Sequence, residues 1–318
     1  MQHFLKETDF NPCQIAEIFS LAATFKKQRK GHTTSALGKQ SWGMLFFKKS
    51  TRTRVSFEVG IHELGGHPVV LNSEDLQLSR GESIEDTAKV LSRYLHGIVI
   101  RDHAHERVET FARAASIPVV NALTNFLHPC QIYTDAFTLA ERWGGKDGPS
   151  FESLKGRKVV FIGDGASNMA NSWLLGADLF GIDLTICSPQ DFVPGQSIRE
   201  LLGKADLGNS TFTSDPFEAV RDADVVYTDV WVSMGDETEA DVRLEKMKPY
   251  AVTPQLMAAA RPEACFMHCM PVHPGHEVTN EVLNGPQSII FDQAENRLHL
   301  QKAVLAVLAA SPKSLALG

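Results

Sequence analysis

Short apolar runs alternate with stretches of mixed polarity along most of the chain. In the first half, Trp42–Phe47, Val69–Leu71, Gly97–Ile100 and Pro118–Val120 have the length and apolar character of strands. Between them, Val55–Leu64, Ile84–Leu95, Arg107–Ala115 and Pro129–Trp143 have the length and spacing of amphipathic helices. The second half repeats the alternation, with strands predicted at Lys158–Ile162, Asp183–Cys187, Thr211–Thr213, Asp224–Tyr227 and Ala264–His268. The Ala- and Leu-rich stretch Ala294–Leu308 predicts a last helix. Strand–helix alternation builds parallel sheets wrapped by helices. The expected class is therefore α/β, with two doubly wound domains, each a mostly parallel sheet flanked by helices. Gly144-Gly145-Lys146-Asp147-Gly148-Pro149-Ser150 is the densest turn-forming cluster and marks the expected boundary, giving domains at 1–145 and 151–293.

The 318 residues fit two domains at roughly 150 each. A formal charge of −7 sets aside a nucleic-acid footprint, yet local arginines can still hold an anion against so weak a global field. Met1–Glu7 lacks the apolar core of a signal peptide, and no apolar run approaches the ~20 residues of a membrane span. Five scattered cysteines, an odd number, do not form a disulfide framework. These features predict a cytoplasmic, reduced protein with neither membrane nor nucleic acid as partner.

Ligands of open α/β sheets sit beyond the carboxyl ends of strands, and the chemistry-bearing motifs fall there. Ser50-Thr51-Arg52-Thr53-Arg54 follows the first strand and opens a helix. Free N–H groups, the helix dipole, hydroxyls and guanidiniums together suit a phosphate; a single capping serine with solvated arginines would not need so many donors. His128-Pro129-Cys130-Gln131 places a histidine at a helix entrance, where it is either an ordinary cap or a donor to a developing oxyanion. Asp229 and Ser233, four residues apart on a loop ending Met234-Gly235, either hold an ammonium group or form a polar turn. His268-Cys269-Met270-Pro271 ends a strand in a thiol, but its cysteine spacing does not match structural zinc. Gly163-Asp164-Gly165-Ala166-Ser167-Asn168 imitates a dinucleotide fingerprint, except that Asn168 stands at the third glycine position. A nicotinamide-dependent enzyme built on that loop leaves the first two motifs without a use. A non-catalytic paralogue would not need the motif positions filled.

In this order the motifs resemble the aspartate/ornithine carbamoyltransferase family. Ser-Thr-Arg-Thr-Arg and His-Pro-x-Gln are what the whole family uses for carbamoyl phosphate. The Asp229 loop with Ser-Met-Gly and the His-Cys-x-Pro segment look like its ornithine branch. The likeness includes Gln77 through Tyr94 and Glu295-Asn296-Arg297, and so covers essentially the full chain. Two departures are Met270, where leucine is usual, and Val272-His273-Pro274-Gly275-His276, where Ala-His-Arg-Gly is usual.

The resemblance implies transfer of a carbamoyl group from carbamoyl phosphate to the δ-amine of L-ornithine, with no metal and no cofactor. A related acceptor, putrescine or an N-acylornithine, is the alternative, against which Ser233-Met234-Gly235 counts. Carbamoyl phosphate would be bound by Ser50, Thr51, Arg52, Thr53, Arg54, Gln77, Arg101, His128, Gln131, Cys269, Met270 and Arg297. Ornithine would be bound by Asn168, Asp229, Ser233 and Met234. Arg52, Arg101, His128 and Cys269 would be catalytic. The resemblance further implies that residues 294–318 pack back on the first domain. It implies a homotrimer, or a multiple of it, in which the Ser73–Glu85 loop carries Gln77 into a neighbour's cleft.

Overall fold

A computed structural model describes residues 2–29, 34–73, 76, 81–203, 210–232 and 240–310. The chain forms two compact units, residues 1–151 with 296–318, and residues 152–295.

The first unit opens with α1 (Pro12–Gln28), which the apolar pattern does not predict. Asn11 caps it by accepting from the Gln14 amide, and Gln14 returns a bond to Asn11, a reciprocal pair that nucleates a helix. Its buried face is Ile15, Ile18, Phe19, Ala22 and Phe25. Then follow β1 (Ser41–Phe46), α2 (Thr51–Glu63), β2 (His67–Asn72), α3 (Ile84–Tyr94), β3 (Gly97–Arg101), α4 (His105–Ala114), β4 (Val119–Leu123) and α5 (Pro129–Trp143). The strands pair in parallel in the order β2-β1-β3-β4. Connections leave β1 and β3 toward opposite edges, so the carboxyl ends of these two strands flank the switch point where α/β sheets bind ligands. β4 runs past the predicted end at Val120, through the polar Asn121, because Asn121 Nδ2 is satisfied by the Leu5 carbonyl at 2.9 Å. Leu45, Ile98, Ile100, Val108, Phe111 and Val119 form a core against one face of the sheet.

The second unit contains β5 (Lys158–Ile162), α6 (Asn168–Phe180), β6 (Asp183–Cys187), α7 (Gln196–Leu202), β7 (Thr211–Thr213), α8 (Pro216–Val220), β8 (Val225–Thr228), α9 (Ala240–Met247), α10 (Pro254–Ala258), β9 (Cys265–His268) and α11 (Asn280–Leu283). Its five strands are again all parallel, in the order β7-β6-β5-β8-β9. The switch point lies between β5 and β8. Val160, Ile162, Val226, Phe266, Trp231 and Met257 belong to its core.

The last helix, α12 (Ile290–Ala310), starts in the second unit and finishes in the first. Among the described residues, no helix is long and apolar enough to cross a membrane. The fold is thus two parallel α/β sheets, each flanked by helices.

Candidate active site

β1 leads to Ser50, whose hydroxyl accepts from the Thr53 amide at 3.2 Å and caps α2. Such a cap stabilises a helix by about 1 kcal/mol. The first turn that follows contains no acidic residue. It holds Thr51 and the exposed Arg52, with Arg54 next along, 3.5 Å from Glu58. Cations at the positive end of a helix dipole are unfavourable unless an anion joins them.

Thr53 is buried, and its hydroxyl oxygen accepts from two guanidiniums, Arg101 Nη1 at 3.1 Å and Arg297 Nη2 at 3.3 Å. Arg101 ends β3 and is 8% exposed; Arg297, on α12, is 5% exposed. Arg297 Nη1 also donates to Gln131 Oε1 at 2.6 Å. The Gln301 amide, with its oxygen facing the guanidinium, accepts from Arg297 Nη2 and Nε at 3.1 and 3.0 Å and donates to Ser56. Thr53 and Gln131 are the third residues of α2 and α5, so one guanidinium ties two helix N-termini together. These acceptors are neutral oxygens, and taking a guanidinium out of water carries a desolvation cost of several kcal/mol per ion.

His128 stands before Pro129 at the entrance to α5 and is buried there, but its side chain makes no capping bond. Burial first, then the charges of Arg297, Arg101 and Lys48, hold its imidazole well below the ordinary 6.5. At neutral pH it is therefore uncharged, offering one N–H and one lone pair. Burial pushes the neighbouring Cys130 thiol up to about 12, and the thiol donates to the Asn121 carbonyl at 3.4 Å. Gln77 lies outside the described residues.

In the second unit, β5 runs into the Gly163–Asn168 turn. Gly163 has φ 144°, and a Cβ on Gly165 would lie 2.5 Å from the Phe192 carbonyl, so each glycine has a local backbone reason. Ser167 caps α6 through the Ala170 amide, and Asn168 is the partly buried first residue of that helix. Asp229 follows β8, and its Oδ1 accepts from the Val230 amide at 2.8 Å and from the Cys269 thiol at 3.0 Å. Burial raises the Asp229 carboxyl above its ordinary value, with a smaller push from Glu277, against the opposing effects of His268, the thiol and the Val230 amide.

Behind Cys269, the Met270 amide donates to His268 Nδ1 at 2.8 Å. The proton of a neutral His268 then sits on Nε2, 3.3 Å from Glu277 Oε1, with both side chains fully buried. Gln293 Oε1 accepts from the His268 amide at 3.0 Å. Asp229, His268 and Cys269 bring ligand-type atoms within 4.8 Å of one another, the group among the described residues that meets metal spacing. Its thiol proton and imidazole lone pair are already engaged, by Asp229 and by Met270. Ser233 and Met234 lie outside the described residues.

Thr53, Arg101, Gln131 and Arg297 are thus joined by hydrogen bonds in one unit, and Asp229 with Cys269 in the other. Sequence reasoning misses Asp135, Gln301 and Glu277. The first two stand one helical turn after Gln131 and Arg297, a spacing that was there to be noticed.

The model of the aspartate/ornithine carbamoyltransferase carbamoyl-P binding domain matches residues 2–141, and that of the Asp/Orn binding domain matches residues 155–308. An ornithine carbamoyltransferase of Methanoculleus marisnigri is 48% identical over 308 residues, covering 96% of each chain. One of Geobacter metallireducens is 44% identical, covering 96% of this chain and 99% of its own. The solved ornithine carbamoyltransferase of Pyrococcus furiosus superposes with a TM-score of 0.89 at 42% identity, over 98% of both chains. With both domain models matched in sequence order over residues 2–141 and 155–308, the chain belongs to the aspartate/ornithine carbamoyltransferase family.

Proposed function

We propose that the chain transfers the carbamoyl group of carbamoyl phosphate to the δ-amine of L-ornithine, giving L-citrulline and phosphate. The observation that carries this reading is the buried pair Arg101 and Arg297 on the Thr53 hydroxyl, beside a helix whose first turn holds no acid. This is a site charged for an anion. The relatives named above supply the acceptor.

In this reading, the phosphate is held by Ser50, Thr51, Arg52, Thr53 and Arg54, and the carbamoyl group by Thr53, Arg101, His128, Gln131 and Arg297. Asn168, Asp229, Ser233 and Met234 hold the amino-acid end of ornithine, and Cys269 with the Met270 carbonyl lies by its δ-amine. The neutral amine adds to the carbonyl carbon, and the resulting oxyanion is stabilised by N–H donors fixed in advance. An uncharged His128 acts there as a hydrogen-bond donor, since its proton is too firmly held to be transferred as from an imidazolium. The carbon–oxygen bond to phosphate then breaks, and the leaving phosphate takes the amine's proton. A lysine-like amine titrates near ~10.4, so turnover should rise with pH as more of it is deprotonated. No metal or organic cofactor enters, and the working assembly is a trimer, which sedimentation checks.

The deciding experiment supplies carbamoyl phosphate with ornithine, aspartate, putrescine or N-acetylornithine in parallel and measures the carbamoylated product. Ornithine should be preferred by orders of magnitude. Preference for another acceptor would falsify the assignment.

A further inference from the structure

Asp135 lies on α5 one turn beyond Gln131, is fully buried, and accepts from Gln131 Nε2 at 2.8 Å. On its other side the same amide receives Arg297 through Oε1 at 2.6 Å. An ionised carboxylate only accepts, and a guanidinium only donates. A glutamine amide between the two has one orientation, NH2 toward Asp135 and C=O toward Arg297. An amide held by neutral, two-way partners such as hydroxyls could turn over; this one cannot without meeting like groups on both sides. A fixed amide offers a ligand one defined donor edge and one defined acceptor edge.

We propose that Asp135 is a positioning residue for recognition of the carbamoyl group. It acts through Gln131, setting which edge of that amide the ligand meets and keeping Oε1 on Arg297. The proposal rests on the reading of Gln131 as a carbamoyl contact. It assigns Asp135 no contact with substrate. A buried acid with only a packing role would affect stability and both ligands alike; one that orients Gln131 affects the carbamoyl end alone.

Inorganic phosphate supplies the needed contrast, because it shares the phosphate contacts and lacks the carbamoyl group. The full-length chain and its Gln131→Ala, Asp135→Ala and doubly substituted variants are compared by KM for carbamoyl phosphate and by Ki for phosphate as competitive inhibitor. Gln131→Ala should raise the carbamoyl phosphate KM about tenfold or more, the usual effect of losing a hydrogen bond to a polar ligand, with phosphate Ki within about twofold. Asp135→Ala should change the ratio of the two constants in the same direction by about three- to tenfold. The double variant should be no worse in this ratio than Gln131→Ala alone. Asp135→Asn is isosteric, serves if the alanine variant does not fold, and should fall between wild type and Asp135→Ala. Equal weakening of both ligands in the Asp135 variants, or multiplied losses in the double variant, would overturn the proposal while leaving Gln131 in place. An unchanged ratio in Gln131→Ala would instead remove the carbamoyl role of Gln131, and Asp135's with it.

Discussion

The sites proposed in the two units are built with opposite charge and with opposite kinds of support. In the first, two buried guanidiniums rest on the neutral oxygens of Thr53, Gln131 and Gln301, and the nearest acid on that chain of bonds, Asp135, is held off behind an amide. In the second, a carboxylate is met by a thiol and a backbone N–H, and a second buried acid, Glu277, is close enough to raise it further. The described hydrogen bonds of the first are made by cations to neutral oxygens, and those of the second by neutral donors to a carboxylate, so in the proposed reading each meets a ligand of the opposite sign. His128 registers the cations of the first set on a titrating group, since burial first and then the charges of Arg297, Arg101 and Lys48 keep it unprotonated.

The harshest test of this contrast removes a cation from the first site. Arg101→Met should lower kcat/KM for carbamoyl phosphate by on the order of 10³, the upper cost of one preorganised donor, with the protein still folded by circular dichroism. A loss under tenfold would mean that this guanidinium is structural.

The matching test in the second site is Asp229→Asn. Losing a charge-assisted hydrogen bond costs about 1.5–3 kcal/mol, so the ornithine KM should rise by roughly one to two decades while that of carbamoyl phosphate stays put. Because burial disfavours the ionised Asp229, the amide should also raise the melting temperature of the free protein. Greater stability with poorer ornithine binding is the signature of a carboxylate kept for its ligand. A fall in both would break the comparison.

A subtler test uses pH. The folded His128 pKa lies below 6.5, so as pH falls through that value the unfolded chain takes up a proton that the folded chain refuses. The residue is neutral in both states above about 6.5 and contributes no pH dependence there. Below it, stability is lost by up to about 1.4 kcal/mol per pH unit from this group. Urea unfolding at pH 5 to 7 should show a shallower pH slope for His128→Gln than for wild type. Burial also lowers His3 and His105, so part of the slope should survive. Identical slopes would place the imidazole outside the charged field.

The smallest expected effect is that of a chelator. Treatment with EDTA and gel filtration should leave citrulline formation within experimental error. A loss restored by a divalent cation would turn Asp229, His268 and Cys269 from a hydrogen-bonded group into ligands.

Much of the fold was legible wherever the chain carries its own punctuation. Pro129 at the first helical position and Gly144 after the last give α5 its predicted limits, and the strands Lys158–Ile162, Asp183–Cys187 and Thr211–Thr213 also fall where the apolar runs place them. The pattern failed at α1, whose five apolar contacts are diluted among exposed polar residues, and at Asn121, where a distant carbonyl lets a polar side chain enter a strand. The site divides in the same way. Ser50 as a cap and His128 at a helix entrance are local facts. That Thr53 shares its hydroxyl with an arginine 244 residues away is not, because no periodicity spans that distance. Nor does a sequence say which way an amide points, which is what Gln131, Gln301 and Asp135 add.

The first unit is discontinuous in the chain, and this governs the order in which it can be completed. A ribosome makes all of residues 152–295 before it reaches Asn296, which bonds Thr138 and Glu141, or Arg297, or Lys302, which pairs with Glu63 at 2.7 Å. While nascent, the first unit therefore lacks one of its two buried guanidiniums and the ion pair that fastens α12 to α2. The bonds of Arg297 to Thr53 and Gln131 are completed last, after the first unit's own sheet and after the whole of the other unit is synthesised. A message truncated between Cys269 and Asn296 yields a chain that contains Ser50–Arg54, Asp229 and Cys269 but lacks both the Arg297 bonds to Thr53 and Gln131 and the Lys302–Glu63 pair, so those ties also record that translation ran past that point.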